Sequence, residues 1–185
     1  MNTSDKRTVR TRKKLQQALI ELLMDRDYES LSIRDITDRA QVGYATFFRH
    51  YTGKDDLLTH AFQESVAELK HLLQSMGSSA SPEEEGRLIF DHIAANSDLY
   101  RVFLRGEGTQ TLVDETVRES VKELVMRYAR YTPTIPAAIL ANHVAASVIA
   151  LIKWWLRNDM PVTPERMGEI YARMIIVPVN QLLES

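Results

Sequence analysis

The stretch "SIRDITDRAQVGYATFFRHYTGK", from Ser32 to Lys54, determines the fold class that the rest of the sequence supports. Its apolar spacing predicts a short helix over Ile33–Ala40, with Ser32 as the N-cap and Asp35 as its capping-box partner. After a three-residue turn, a second short helix is predicted over Tyr44–Tyr51. Two short helices joined by a tight turn form a helix-turn-helix, and a basic helix precedes them here.

The second helix carries two pairs of aromatic residues. Phe47 and Tyr51 are four residues apart and share one face, whereas Tyr44 and Phe48 share another face about a quarter turn away. One pair is therefore expected in the core, and the other is left to meet a partner. Apolar ring edges can contact thymine methyl groups and Arg49 can pair with guanine, so this face suits a DNA major groove.

The remaining sequence predicts an all-α protein of about nine helices. A first helix is expected from about Thr8 to Met24, and a long helix from Lys54 to about Met76, ahead of the helix-breaking run "GSSASP". Ser81 and Glu84 restart a helix as N-cap and N3. The further helices are predicted at about 82–95, 98–105, 110–131, 136–158 and 164–183.

Charge is distributed unevenly along the chain. Residues 1–54 contain 11 Lys and Arg against 7 Asp and Glu, whereas residues 55–185 contain 12 against 18. The positive end is the expected place for an anionic partner, either as a backbone-contacting arm at Lys6–Lys14 or, alternatively, as a frayed and solvated segment. The chain has no cysteine, and its N-terminus lacks the apolar run of a signal peptide, so we expect a cytoplasmic protein.

Two C-terminal helices are the most apolar in the sequence. The segment Ala137–Ile152 has no charge over 16 residues, which is too short to span a bilayer, so we predict a buried helix rather than a membrane partner. The last helix carries a second apolar stripe, and Pro178 should kink it by removing the bond to the Met174 carbonyl. Periodicity leaves open whether the two helices are monomer core or dimer seam.

The helix-turn-helix region resembles the TetR family of bacterial transcriptional regulators. The family pattern, roughly T-x-x-x-I-A-x-x-A-G-V-S-x-G-T-x-Y-x-H-F-x-S-K-x-x-L, is met over about residues 8–58. The matching residues are Ser32, Ile36, Ala40, Val42, Thr46, His50, Lys54 and Leu57, with Tyr51 in place of the Phe. The departures are Gln41 for the turn Gly, Gly43 for the capping Ser, Ala45 for the second Gly and Phe48 for the Tyr.

This resemblance implies a set of DNA-binding residues. Base-reading positions fall on Arg34, Tyr44, Ala45, Thr46 and Arg49, and backbone-contacting positions fall on Phe48, His50 and Lys54. Ser32 and Gly43 complete the expected DNA-binding set as the N-caps of the two helices. The partner implied is double-stranded operator DNA.

The resemblance also implies a domain organisation. It assigns a helix-turn-helix DNA-binding domain to residues 1–54, with the motif at about 32–51, a connecting helix to residues 55–76, and an effector-binding and dimerisation domain to residues 82–185. A homodimer is expected through the C-terminal helices, together with a small, mostly apolar effector. The aromatic residues assigned to the effector pocket are Tyr100, Phe103, Tyr128 and Trp154.

The competing class is an all-α enzyme or partner-binding module. Gly-rich phosphate loops, zinc-protease motifs and paired catalytic carboxylates are missing from the sequence, and no pair of its histidines has metal-ligand spacing. We therefore predict no catalytic residue, no metal and no cofactor. The predicted function is a DNA-binding repressor released by an effector; the alternatives are an effector-independent regulator or an activator.

Overall fold

The computed structural model describes residues 3–77, 79–105, 109–131 and 135–183, and this part of the chain is helical throughout, with no strand. Its elements run in the order α1 (Thr3–Asp25), a 3₁₀ turn (Tyr28–Ser30), α2 (Ile33–Ala40), α3 (Tyr44–Phe47), α4 (Lys54–Ser75), α5 (Pro82–Ala95), α6 (Ser97–Arg105), α7 (Gln110–Tyr128), α8 (Ala137–Arg157), α9 (Pro164–Tyr171), a π turn (Ala172–Ile176) and α10 (Val177–Leu183). If the continuous stretch 164–183 is counted once, the described residues form nine helices. The prediction of an all-α fold is confirmed.

Most predicted helices have the observed bounds to within three residues. The first helix differs, because it begins at Thr3 rather than Thr8, and the second motif helix differs, because it ends at Phe47 rather than Tyr51. A few residues of the predicted domains lie outside the described residues. They are Met1 and Asn2 of the predicted DNA-binding domain, and Glu184 and Ser185 of the predicted C-terminal domain.

The helix-turn-helix packs onto α1 and α4 through a fully buried apolar cluster. Its members with no exposed surface are Leu15, Leu19, Ile36, Phe47 and Leu57. The predicted capping box is present at the start of α2: the Asp35 N–H donates to Ser32 Oγ (3.1 Å), and the Ser32 N–H donates to Asp35 Oδ2 (2.9 Å). The Ser32 hydroxyl also donates to Asp35 Oδ2 (2.6 Å), and this bond first, then the bond from the Ser32 N–H and the nearby Arg26, lowers the pKa of the Asp35 carboxyl to about 2.

Two glycines allow α5 and α9 to cross with their backbones in contact. A Cβ atom added to Gly168 would lie 2.6 Å from the Arg87 nitrogen and 2.7 Å from the Glu83 oxygen. A Cβ atom added to Gly86 would lie 2.8 Å from the Gly168 Cα. Because both residues are buried, only glycine fits at either position.

The C-terminal helix passes through Pro178 after a change of helical type. The five residues Ala172–Ile176 form a π turn, and the Val177 N–H donates to the Ala172 carbonyl, five residues back. Proline lacks the N–H that a regular helix would use at this point. The sequence predicted a simple kink at Pro178. The structure instead has a π turn immediately before the proline.

The helix α8 is less buried than its sequence predicts. Leu140, Val144 and Trp155 are buried, but Ile139 and Trp154 are 59% and 50% exposed. The helix α8 is long and apolar enough to cross a membrane, but the core helices of soluble proteins often are as well. Only 28% of its most apolar 18-residue window is buried within the chain. The prediction of a helix covered on most sides is wrong for the monomer, because the side of α8 that carries Ala138, Ala146 and Ala150 is exposed.

The glycine crossing gives a stability prediction. Gly168→Ala should lower the free energy of unfolding by about 2 kcal/mol, because overpacking against backbone atoms outweighs the better helix propensity of alanine. Gly53→Ala is the control, since a Cβ there meets nothing within 4 Å and only a capping effect of about 0.5–1 kcal/mol remains. Urea unfolding followed by circular dichroism measures both, and equal stabilities of the two variants would contradict the assigned contact.

Candidate functional site

The motif helix exposes one aromatic pair and buries the other. Tyr44 and Phe48 are 54% and 49% exposed, and their rings meet edge to face with centroids 5.4 Å apart. Phe47 and Tyr51 are buried, with ring centroids 5.8 Å apart. The predicted division of the two faces is confirmed.

The regular α-helix of the motif is shorter than predicted, yet the ring spacing is kept. After Phe47, the Arg49 N–H donates to the Thr46 carbonyl (3.2 Å) and the His50 N–H donates to the Phe47 carbonyl (2.9 Å). The Tyr51 N–H also donates to the Phe47 carbonyl (3.0 Å). Since the backbone continues to turn through hydrogen-bonded turns, both pairs stay on the faces that helical spacing assigns to them.

Tyr51 connects the motif to both long helices around it. The Gln16 side chain on α1 donates from Nε2 to the Tyr51 hydroxyl (3.4 Å), and the His60 ring on α4 lies 5.6 Å from the Tyr51 ring, centroid to centroid. Burial, followed by the charge of Glu64, raises the pKa of Tyr51 to about 12, so the hydroxyl stays protonated near neutral pH. A phenylalanine at this position would lack the bond to Gln16.

A small cationic group lies beside the exposed face. The Arg12 guanidinium is 5.9 Å from the centroid of the Tyr51 ring, and Arg12 acts together with Arg49 on His50. Burial first, and then these two charges, lower the pKa of His50. The buried Nε of Arg12 has no hydrogen-bond partner in the described residues. The sequence identified Arg12 only as one of several basic residues, because spacing within α1 carries no information about a residue 38 positions away.

Lys54 holds the start of α4 against the turn between α1 and α2. Its ammonium donates to the carbonyls of Tyr28 (2.9 Å) and Leu31 (3.2 Å) and lies 4.3 Å from the centroid of the Tyr28 ring. The Tyr28 hydroxyl in turn donates to Asp55. Two of the three ammonium hydrogens are thus engaged within the chain, and one remains for a phosphate. The sequence predicted only the phosphate role.

The other predicted DNA-binding residues differ in exposure. Thr46 is half-buried, and Ser32 is exposed but committed to the capping box. The exposed members are Arg34, Gly43, Tyr44, Ala45, Phe48 and Arg49. An open groove of about 690 Å³ lies between α1 and the end of α2, and the cations lining it are Lys6, Arg10, Lys13, Lys14 and Arg39.

A second candidate site is a cavity of about 270 Å³ enclosed by residues of α4–α9. Of the four aromatics assigned to an effector pocket, Tyr100 lines this cavity. Phe103 does not line the cavity, but its ring stacks on the lining residue Phe62, with the ring centroids 4.1 Å apart. Tyr128 is buried outside the lining, and Trp154 is on the surface. The sequence missed most of the wall, because it consists of aliphatic residues contributed by several helices.

The hydroxyl of Tyr100 belongs to a buried polar group. Ser65 Oγ donates to it (3.3 Å) and lies 3.0 Å from His92 Nε2. Burial lowers the pKa of His92 and raises that of Tyr100, so both side chains favour their neutral forms. No group of His, Asp and Glu with metal-binding geometry occurs among the residues that the structure describes.

This arrangement defines a helix-turn-helix protein in which residues of α4–α9 line a cavity. The family model described as "Bacterial regulatory proteins, tetR family" matches residues 16–61, and the model TetR_C_8, described as "Transcriptional regulator C-terminal region", matches residues 81–176, about half of the chain. The chain belongs to the TetR family of transcriptional regulators.

Individual relatives share the fold along most of the chain. The uncharacterized HTH-type transcriptional regulator YxbF of Bacillus subtilis is 30% identical over 179 residues, which are 94% of this chain and 46% of YxbF. The HTH-type transcriptional activator FasR of Mycolicibacterium smegmatis is 24% identical over 82% of this chain and 75% of FasR. The solved structure of the fatty acid degradation regulator FadR from Bacillus halodurans superposes with a TM-score of 0.71 at 17% identity, covering 95% of each chain. This chain thus spans about half the length of YxbF.

The turn of the motif gives a second stability prediction. Gln41 ends α2 in the left-handed conformation, with φ 53° and ψ 46°, which costs a residue with a Cβ atom about 1–2 kcal/mol. After the backbone entropy cost of glycine, Gln41→Gly should raise the free energy of unfolding by about 1 kcal/mol. The same change at the exposed helical residue Gln63 should lower it by about 1 kcal/mol. Chemical denaturation of both variants tests this, and a destabilised Gln41→Gly protein would contradict it.

Proposed function

We propose that this protein is a DNA-binding transcriptional regulator that reads its operator with α3 and the turn after it. The observation that carries the proposal is the exposed face of Tyr44, Phe48 and Arg49 on a helix whose other ring pair is buried. Exposing two aromatic rings to water is unfavourable in free energy. Contact with a partner surface would bury these rings and remove that unfavourable term. Relatives of the chain are transcriptional regulators rather than enzymes, so we assign no catalytic residue.

The DNA contacts follow from the exposure and chemistry of each residue. We assign base contacts to Arg34, Tyr44, Ala45, Thr46 and Arg49, where ring edges and alanine meet thymine methyl groups and arginine meets guanine. Phosphate contacts are assigned to His50 and Lys54, next to Phe48 and the caps Ser32 and Gly43. Arg12 joins this set, because its guanidinium lies close enough to lower the pKa of His50. A phosphate placed there would neutralise the mutual repulsion of these cations.

We also propose a homodimer that buries the uncovered face of α8 and α10. One recognition helix reads only a half-site, whereas a twofold dimer reads a palindrome. The exposed apolar residues on these two elements and the π turn between α9 and α10 include Ile139, Trp154, Met174 and Val177. On α8, Ile139 and Trp154 share one helical face with Ala146 and Ala150, which are also exposed, and such small side chains permit close helix packing.

The cavity is the proposed site of an apolar effector that controls DNA binding in the cytoplasm. Its lining is mostly aliphatic, and its volume of about 270 Å³ is near the lower end of ligand pockets, roughly 300–1,000 Å³. We favour a repressor released by its effector. An activator is the second candidate, since the relative FasR is described as a transcriptional activator.

The first functional prediction concerns base reading. An operator is selected from a randomised DNA pool with the full chain, and binding is measured by fluorescence anisotropy. Arg49→Ala should weaken operator binding by about 1–3 kcal/mol, with a smaller effect on unrelated DNA. The control Arg130→Ala removes the same charge from an exposed residue of the C-terminal body and should leave operator binding within about twofold.

Failure of the wild-type chain to enrich any DNA sequence would contradict the proposed function, and equal effects of the two substitutions would contradict the role of Arg49. Lys54 is a poor residue for this test, because its ammonium also holds the start of α4. Affinity should fall steeply with salt concentration in either variant, since phosphate contacts release counterions.

The second functional prediction concerns the dimer. Met174 on the π turn and Met126 on α7 are 65% and 64% exposed, so the same substitution can be compared at equal exposure. Met174→Glu should shift the protein toward monomers, because it buries a charge in the proposed seam, whereas Met126→Glu should leave the dimer intact. Sedimentation velocity distinguishes the two, and a stable Met174→Glu dimer would place the seam elsewhere.

A further inference from the structure

Four charged residues surround one end of the cavity: Lys70, Glu85, Glu123 and Arg127. The same four residues line an adjoining open depression of about 430 Å³ at the end of α4. They therefore form the boundary between the apolar interior and the solvent. A ligand that enters the cavity from this side must pass or contact them.

Two of these four charges are paired with each other within the chain. Lys70 Nζ lies 2.7 Å from Glu123 Oε1, and this ion pair joins α4 to α7. Glu85 lies near the buried Tyr171 hydroxyl, and burial together with the Glu85 charge raises the pKa of that hydroxyl. Arg127 forms no salt bridge or side-chain hydrogen bond with any residue of the described chain. Among the described residues, Arg127 is thus the cation of the mouth that has no ion pair.

The interior is mostly hydrocarbon and offers a charged head group few donors; the Tyr100 hydroxyl is one, because Ser65 donates to it and leaves its own hydrogen free. Thr116 and Ser120 donate their hydroxyl hydrogens to the carbonyls of Leu112 (2.9 Å) and Thr116 (3.0 Å) within α7. Tyr100 is held by Ser65 at the end of the cavity away from the charges. A carboxylate placed inside would exchange most of its hydration for a single hydroxyl contact, so the charged mouth is the more favourable position for it.

The cavity is elongated along α4. Its lining follows this helix from Phe62 to Leu73, which at 1.5 Å per residue is roughly 16 Å. Lys70 and Leu73 lie at the charged end of this path, and Phe62 lies at the end near Tyr100. An extended chain of medium length fits this path better than a compact or multi-ring molecule.

We propose that the cavity binds an amphiphile with a single carboxylate, whose hydrocarbon chain lies along α4 and whose head group accepts hydrogen bonds from Arg127. Arginine presents a planar pair of donors that matches a carboxylate. The head group also competes with Glu123 for Lys70, which weakens the link between α4 and α7. As a regulatory device this rests on the proposed function, but ligand binding itself does not require DNA.

The test uses the full chain without DNA and three probes of equal chain length: decanoate, 1-decanol and decyltrimethylammonium. Isothermal titration calorimetry should show decanoate binding most tightly. Arg127→Gln should weaken decanoate binding about tenfold and leave decanol binding unchanged, as expected for the loss of one charge-assisted contact. Arg130→Gln, three residues further along and outside the lining, should change neither.

Retained decanol binding by Arg127→Gln shows that the cavity is intact in the variant, so a misfolded protein cannot mimic the expected result. Equal or tighter binding of decanol or decyltrimethylammonium by the wild type would overturn the carboxylate assignment, and binding of none of the probes would overturn the ligand class as a whole. Operator binding of the same preparations is measured in parallel. Absence of operator binding would count against the proposed regulatory function and not against the proposed carboxylate ligand.

Discussion

The burial of Tyr51 is the constraint on which the DNA-binding end of this molecule depends. One side chain contacts α1 through Gln16 and Arg12 and α4 through His60, so it fixes the short motif helix against both long helices. Phe47 lies four residues earlier and is buried with it. Because the two rings point inward, Tyr44 and Phe48 point outward. The exposed face that is proposed to read DNA is therefore positioned by the packing of Phe47 and Tyr51 in the core, and not by contacts of Tyr44 and Phe48 themselves.

The helix α4 links this end of the molecule to the cavity. Its first residue, Lys54, is bound to two carbonyls of the segment between α1 and α2, and Lys70, four turns later, is paired with Glu123 on α7. A helix held at both ends transmits a displacement of one end to the other with little loss. The two lysines are therefore the points at which the proposed ligand binding and the proposed DNA contact would meet on one helix.

The C-terminal body depends on the backbone contact between Gly86 and Gly168. With no Cβ atom on either residue, α5 and α9 approach more closely than side chains would permit, and Tyr171 is placed next to Glu85 at the mouth of the cavity. The π turn then carries the same helix past Pro178. What remains uncovered is one apolar side of α8 and its neighbour α10, the surface that a second copy is proposed to cover.

The sequence alone predicted what depends on local spacing: the all-α class, the bounds of most helices, the capping box at Ser32 and the division of four rings between two faces. These features follow from the 3.6-residue period and from contacts within four residues. The tertiary structure decided what depends on distant partners. It placed the Lys54 ammonium on Tyr28 and Leu31, brought Arg12 to His50, and kept Tyr100 alone among the four proposed aromatics at the cavity wall. Periodicity shows which side of a helix is apolar, but it does not identify the element that covers that side, because that depends on how closely other helices can approach it.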